Sequence, residues 1–414
     1  MKKIIFIVID GLPDEIVPEL GNRTPLEAAN RRNLDYLAQN GWCGFFKPLF
    51  LGKLPDSEEV HLALFGYDPR KILSGRPAFA KASAGRGVFE ALGIGFNLLP
   101  EDVALRGNLA TIDDRNKILD RRAGRIKTAD AAKLVNSLRG IKIDGVEFIV
   151  KAVYGHRLVV VLRGKNISTQ VSDTDDKKIR IKKEARPLKK ERKAQFTTRI
   201  LNQFLEQSRL ILKRHPLNQK RIREGKPPAN FILIRSVGKL KKVPSFQKRW
   251  GLKAACVSNG ALYKGIAKFL GMTLVKESGG DPLSSVYIKN KFLAVKRALK
   301  KYDFIFCHIK GADLLAEDGQ AKGKKEFIET IDKQLPILEN LESTLLVVTS
   351  DHATSSRQKS HVALPIPILI YPAQKGKPNQ KFTERDCRKG NLGEIQNLKI
   401  LPLVLKIASR EINN

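Results

Sequence analysis

Five short apolar runs constrain this chain more than any other feature: residues 4–9 (IIFIVI), 231–236 (FILIRS), 304–309 (FIFCHI), 344–350 (TLLVVTS) and 366–371 (IPILIY). Each is too short for a buried helix, rich in β-branched and aromatic residues, and almost free of polar alternation. That is the pattern of strands covered on both faces, as in a parallel sheet. Helix-like stretches at 24–41, 259–271 and 323–342 lie around them. The alternation predicts an α/β sheet with helices on both faces. Pro25 suits a first helical turn and Gly41 a helix C-terminus. The 414 residues, 42% of them hydrophobic, supply a sizeable core. At roughly 150 residues per domain, two domains are expected.

The second domain reads as an insertion. Residues 71–230 are richer in charge and turns, and 146–164 (VEFIVKAVYGHRLVVVLRG) has the form of a two-stranded hairpin. We expect an inserted, smaller α+β domain over 71–230, with residues 1–70 and 231–414 together forming the main sheet. The stretch 74–87 (SGRPAFAKASAGRG) reads as a loop insertion. The apolar run at 4–9 is too short for a signal core or a membrane span, so a cytoplasmic protein with no membrane partner is expected. Four cysteines without CxxC spacing suggest free thiols. The formal charge is +34, and its densest stretch, 177–193, holds ten basic residues against two acidic. No interleaved aromatics accompany it, so it reads as a solvated basic face and not as a specific nucleic-acid site. Such a field suits an anionic small-molecule substrate.

Three apolar runs deliver carboxylates at their ends: Asp10 after the first, Asp313 after 304–309, and Asp351 with His352 after 344–350. His361 follows nine residues later, before the last run. Ligand sites in α/β sheets lie outside the carboxyl ends of the strands. Asp and His together suit Mn²⁺, Zn²⁺ or a similar divalent ion. Each residue also has a plainer reading: Asp10-Gly11 as a turn, His352 as a helix cap, His308 as a satisfied core histidine. Ser57 poses the same choice. In LPDSEEVHLALFGYDP (54–69), Asp56 and Glu59 read as a capping box at a helix start. Ser57 is then either a bystander in the first turn or a nucleophile whose phosphoryl group would lie against helix N–H groups.

The motifs VIDGLPD (8–14), RTPLEAAN (23–30), LPDSEEVHLALFGYDP (54–69), GRGVFEALG (85–93), PEDVALRGNLATI (100–112), LDRRAGRI (119–126), HPLNQKR (215–221) and TSDHATSS (349–356) run through nearly the whole chain. With them the chain resembles the archaeal-type, cofactor-independent phosphoglycerate mutases of the alkaline phosphatase superfamily. The resemblance implies an alkaline-phosphatase-like α/β domain with two divalent metal ions and an inserted substrate-binding domain. Mn²⁺ is the first expectation, with Zn²⁺, Co²⁺ or Mg²⁺ as alternatives, and no 2,3-bisphosphoglycerate. It implies Ser57 as the phosphorylated residue, with Asp10, Asp351 and His352 around the metal beside it. Asp313 and His361 would hold the second metal. Where the family reads Asp-x-x-x-His, this chain has Glu317 in place of the histidine, and Glu317 is expected as the substitute ligand. Arg86, Arg106, Arg121, Arg122 and Arg125 would bind a phosphorylated substrate through bidentate forks, and Asp120 would move a proton on the glycerate hydroxyls. The implied activity interconverts 3- and 2-phosphoglycerate in glycolysis and gluconeogenesis through a phosphoserine. The alternative is a metal-dependent phosphomonoesterase or another phosphomutase on the same scaffold. An oligomer is compatible with either.

Overall fold

The computed structural model describes residues 1–47, 56–73, 85–176, 179–277, 279–339, 341–373 and 380–410. Residues 74–84 of the loop insertion read over 74–87, and the first two residues of the basic stretch, lie outside them, while Arg86 and Gly87 begin a helix, Arg86–Gly93. The chain divides into two compact units, one of residues 1–69 and 244–414, the other of residues 70–243.

The first unit is built on an eight-stranded sheet. Lys3–Ile9 lies at its centre, parallel to Phe304–Ile309 on one side and Thr344–Thr349 on the other. Every residue from Ile4 to Ile9 is buried because both faces are covered. Ile5, Ile7 and Ile9 pack with the helices Arg32–Gln39, Ser285–Ala298 and Ala321–Gln334. Phe6 points the other way, against Phe65 at 5.9 Å, and Phe65 meets Phe246 and Phe306. Two faces of aliphatic and aromatic packing explain the unbroken apolar run.

The sheet departs from expectation at its far side. Ile366–Tyr371 runs antiparallel to Thr344–Thr349 and not parallel, and Trp42–Phe46 pairs antiparallel with it in turn. Apolarity alone reports burial and not direction. Ala254–Val257, a parallel neighbour of Phe304–Ile309, is too short to stand out in the sequence. The expected helix over 24–41 is two, Pro25–Ala28 and Arg32–Gln39. Arg31 closes the first by donating from Nη1 to the carbonyls of Leu26, Glu27 and Ala29. The helix expected over 323–342 is Ala321–Gln334 followed by a 3-10 turn, Leu335–Leu338, whose second residue is Pro336.

The second unit is built on an antiparallel six-stranded sheet. The hairpin appears as Val146–Tyr154 with Arg157–Arg163. The run at 231–236 is corrected here. It belongs to the strand Phe231–Lys239, which pairs antiparallel with Val103–Ile112 inside this unit. The unit therefore extends to residue 243 and not 230. Helix Arg192–Arg214 packs its Leu201, Phe204, Leu205 and Leu212 on one sheet face. Helix Arg86–Gly93 covers the other with Val88 and Ala91. No helix among the described residues is long and apolar enough to cross a membrane.

Candidate active site

The strand ends of the first unit bring their acids together. Asp10 follows Lys3–Ile9 directly, Asp351 lies two residues beyond Thr349, and Asp313 sits in the first turn of helix Gly311–Glu317. His361 arrives from a small hairpin, Ala353–Ser355 with Ser360–Val362, in which it is paired with Thr354. The chain leaving Asp10 has to turn sharply against this hairpin. Gly11 does so at φ +67°, and a Cβ there would come within 2.6 Å of Thr354 Oγ1 and 2.9 Å of Asp313 Cα. Only glycine tolerates both demands.

Two groups of ligand-type atoms result, Asp10 with Asp351 and His352, and Asp313 with His352 and His361. His352 thus faces both groups, where the sequence assigned it to one. Its Nε2 lies 3.2 Å from Asp10 Oδ1 and 3.4 Å from Asp351 Oδ2. Both of those oxygens are buried and accept no hydrogen bond among the described residues. Buried carboxylate oxygens are otherwise satisfied, so two of them converging on an imidazole nitrogen is the donor set a divalent cation fits. His361 Nε2 lies 3.5 Å from Asp313 Oδ1, and its ring stacks on His352 at 3.7 Å. Thr354 donates its hydroxyl to Asp313 Oδ1 at 2.7 Å and lies 3.1 Å from His352 Nδ1, which fixes both ligands from behind.

The ionisation states follow from this crowding. Burial works against charge on Asp10, but Lys310, His308 and His352 outweigh it and hold the carboxyl well below its usual range. Burial likewise opposes His352, and Asp351 and Asp10 overcome it, raising the imidazole to about 9. Asp351 goes the other way, raised by burial and by the charge of Asp10. Adjacent carboxylates repel, and a cation between them removes that cost.

Sequence reasoning missed two groups here and read a third, His308, differently. Lys310 donates to Asp10 Oδ2 at 2.8 Å and to Asp313 Oδ2 at 2.6 Å, linking the two ligand groups. Its place one residue after the strand Phe304–Ile309 was the available signal. Tyr263, from helix Ala261–Phe269, donates to Asp10 Oδ2 at 2.6 Å. His308 is buried in its strand as expected, but it is not a satisfied core residue. Its Nε2 lies 3.4 Å from Asp10 Oδ2, and neither ring nitrogen makes a hydrogen bond among the described residues.

Ser57 is the first residue of helix Ser57–Leu64 and is buried. Glu59 accepts from the Asp56 N–H at 2.9 Å, so the acids of PDSEE do serve the helix start. One turn on, His61 Nδ1 lies 2.7 Å from the Ser57 carbonyl, and the His61 ring packs against both Tyr263 and His308, with Nδ1 3.8 Å from Asp351 Oδ2. This buried histidine ties the serine's turn to the ligand groups. Glu317 does not join them. It ends its helix exposed to solvent and belongs to neither group. A single turn carries it from Asp313 to the outer surface.

In the second unit, Arg86 and Arg106 meet over the buried carboxylate of Glu90, each Nε 3.6 Å from Oε1. Gly87 permits this, since a Cβ there would lie 2.8 Å from the Leu105 backbone. Arg235, opposite Arg106 in the adjoining strand, adds a cation that the sequence reading omitted. Burial first, then the cations of Arg157, Arg122 and Arg106, push His156 down to about 4, the mark of a concentrated positive field. Arg121 is used differently. It donates to Asp175 at 2.5 Å and to the Asp176 and Ile179 carbonyls, pinning a loop. Asp120 accepts from the N–H groups of Arg122 and Gly124, both at 2.7 Å, so its two oxygens hold its own turn. Arg122 and Arg125 are exposed in that turn.

Residues 38–218 match the family model of 2,3-bisphosphoglycerate-independent phosphoglycerate mutase. Similar proteins given that name include one from Ignicoccus hospitalis, 39% identical over 99% of this chain and 98% of the relative, and one from Methanococcus vannielii, 40% identical over 98% of each. Among solved structures, a protein from Pyrococcus horikoshii is 29% identical with a TM-score of 0.82, covering 99% of this chain and 98% of that one. The cofactor-independent phosphoglycerate mutase of Thermoplasma acidophilum is 30% identical with a TM-score of 0.68, over 99% and 100%.

Proposed function

The chain belongs to the 2,3-bisphosphoglycerate-independent phosphoglycerate mutase family, and from that premise we propose how its residues carry out the interconversion of 3- and 2-phosphoglycerate. The enzyme is an isomerase, and the family to which it belongs uses divalent metal. We assign the two ligand groups to two such ions, with Mn²⁺ as the native metal. Asp10, Asp351 and His352, with the Ser57 hydroxyl, would hold one. Asp313 and His361 would hold the other. Divalent ions at these positions supply charge neutralisation for the transferred phosphoryl group and lower the pKa of a coordinated hydroxyl.

Ser57 is the nucleophile in this reading. Its oxygen bonds to phosphorus as the bond from phosphorus to the 3-oxygen breaks, the serine proton ends on that departing oxygen, and glycerate remains bound. The 2-oxygen then bonds to phosphorus as the bond to Ser57 Oγ breaks, and the proton of the 2-hydroxyl returns to Oγ, regenerating Ser57. The N–H groups of the first turn of Ser57–Leu64 favour the anion formed on the serine. Lys310, already bonded to Asp10 and Asp313, adds a positive charge beside it. In the second unit, Arg86, Arg157 and Arg235, backed by the buried charge of Arg106, form the positive surface that suits the carboxylate and phosphate of the substrate. That unit carries 41 Lys and Arg against 16 Asp and Glu, so most of the net charge of +34 lies on it. A general field of this sign draws anionic substrates inward.

The observation that carries the proposal is the convergence of two unsatisfied carboxylate oxygens on His352 Nε2, linked through His61 to the turn of Ser57. The test is one assay of Mn²⁺-reconstituted protein with 3-phosphoglycerate and no bisphosphoglycerate, following 2-phosphoglycerate and free phosphate together. Formation of 2-phosphoglycerate that is lost on chelation and in Ser57→Ala supports the mechanism. Turnover by Ser57→Ala, or mostly free phosphate from the wild type, overturns it in favour of another route or of a phosphomonoesterase.

A further inference from the structure

We propose that Tyr263 is a positioning residue that decides which oxygen of Asp10 is offered to the metal. This rests on the assignment of Asp10 as a ligand. A carboxylate has two nearly equivalent oxygens and turns freely unless something distinguishes them. Here Oδ2 accepts from the Tyr263 hydroxyl at 2.6 Å and from Lys310 at 2.8 Å. Oδ1 accepts from no described residue and lies 3.2 Å from His352 Nε2. The two donors occupy one oxygen and leave the other with its lone pairs directed at the ligand group. Lys310 alone fixes this poorly, because its ammonium is shared with Asp313 and its stem is flexible.

Tyr263 is rigid where Lys310 is not. Its ring is 3% exposed and lies against the His308 ring at 3.4 Å between centroids, with His61 at 4.9 Å. The stack locks the direction of the hydroxyl. Helix Ala261–Phe269 thereby gives the sheet edge a constraint that none of the strand ends supplies. Partners of this kind orient a ligand and typically change metal affinity about 10- to 100-fold when removed.

Tyr263→Phe keeps the ring in its stack and deletes the hydroxyl alone. The experiment titrates metal-free protein with Mn²⁺ alone, counting free ion by electron paramagnetic resonance, and records the melting temperature of the metal-free form. The wild type should bind two ions. In the variant one site should weaken about 10- to 100-fold, with the other and the metal-free melting temperature nearly unchanged. If the wild type binds no Mn²⁺, the two-metal reading itself fails. Two sites of unaltered affinity in the variant would leave that reading intact and overturn the role of Tyr263. Equal weakening of both sites together with a lower melting temperature would also overturn it, since the hydroxyl would then serve the fold.

Discussion

Lys324 places its ammonium 2.9 Å from Asp14 Oδ2, and both side chains are fully buried. The lysine also donates to the carbonyls of Pro13 and Thr354, while Asp14 accepts from the N–H and hydroxyl of Ser356. One ion pair therefore joins the loop after Asp10 to the hairpin that carries Thr354 and His361. Removing one partner leaves the other charge buried, which typically costs about 3–5 kcal/mol. Lys324→Ala should lower stability by that amount in urea denaturation. It should also weaken Mn²⁺ binding, because both ligand groups lean on Thr354. A loss below about 1 kcal/mol would mean that water reaches the pair and that the linkage is incidental.

Gly11→Ala tests the close approach beneath the ligands. The substitution needs a left-handed backbone at φ +67° and room that Thr354 Oγ1 and Asp313 already occupy. Strain and overpacking together should cost about 2–4 kcal/mol. Asp313 and Thr354 would have to retreat, so Mn²⁺ affinity should fall alongside stability. Wild-type metal affinity in a destabilised variant would show that the strain is absorbed away from the site.

Glu384 predicts a pH dependence independent of the metal ligands. It accepts from the Asp14 N–H at 3.3 Å and from the Thr24 hydroxyl at 2.8 Å. Burial, with help from the charge of Glu27, outweighs these bonds and raises its carboxyl to about 7. Below the unfolded value near 4.5 both states hold the proton and nothing is lost. As pH climbs from there to about 7 the folded state binds more protons than the unfolded one, so stability falls, and above 7 the loss is constant. Allowing for partial exposure, the decline should be about 1–2 kcal/mol. Glu384→Gln should lack this decline. Urea midpoints at pH 5, 6, 7 and 8 give the comparison, and parallel wild-type and variant curves would remove Glu384 as its source.

What the sequence revealed followed the physics of each signal. Asp10, Asp313, Asp351 and His352 were legible because strands that end in ligand-type residues carry their function next to a strong apolar pattern. Ser57 was legible as a helix start, and the resemblance supplied its chemistry. Strand direction was not legible, since Ile366–Tyr371 and residues 231–234 are as apolar as the parallel strands yet pair antiparallel. Tyr263 was hidden for another reason. A tyrosine on an amphipathic helix looks like any core residue until the fold sets it beside Asp10. Glu317 came from the resemblance, and the structure leaves it exposed and outside both ligand groups. A position four residues after a ligand shares its helix face, but here the helix ends at that turn and releases the side chain to solvent.

Arg86 and Arg106 share Glu90, yet they should fail differently. Arg106 is buried within the strand Val103–Ile112, while Arg86 opens the helix Arg86–Gly93 and is 19% exposed. Arg106→Ala removes a charge from deep within the second unit and leaves Glu90 underpaired, so about 3–5 kcal/mol of stability should go with it. Arg86→Ala leaves the Arg106–Glu90 pair in place, and its stability loss should stay near 1 kcal/mol. If Arg86 pairs with an anionic group of the substrate, its removal should cost about 2–5 kcal/mol of binding in the reaction. Much of that loss would fall on retention of glycerate after the phosphoserine forms. Water would then finish the reaction, and the ratio of free phosphate to 2-phosphoglycerate should rise in Arg86→Ala at matched Mn²⁺ and substrate. An equal fall in both products with no change in their ratio would assign Arg86 to initial binding, and glycerate retention would have to rest on other residues of the cluster.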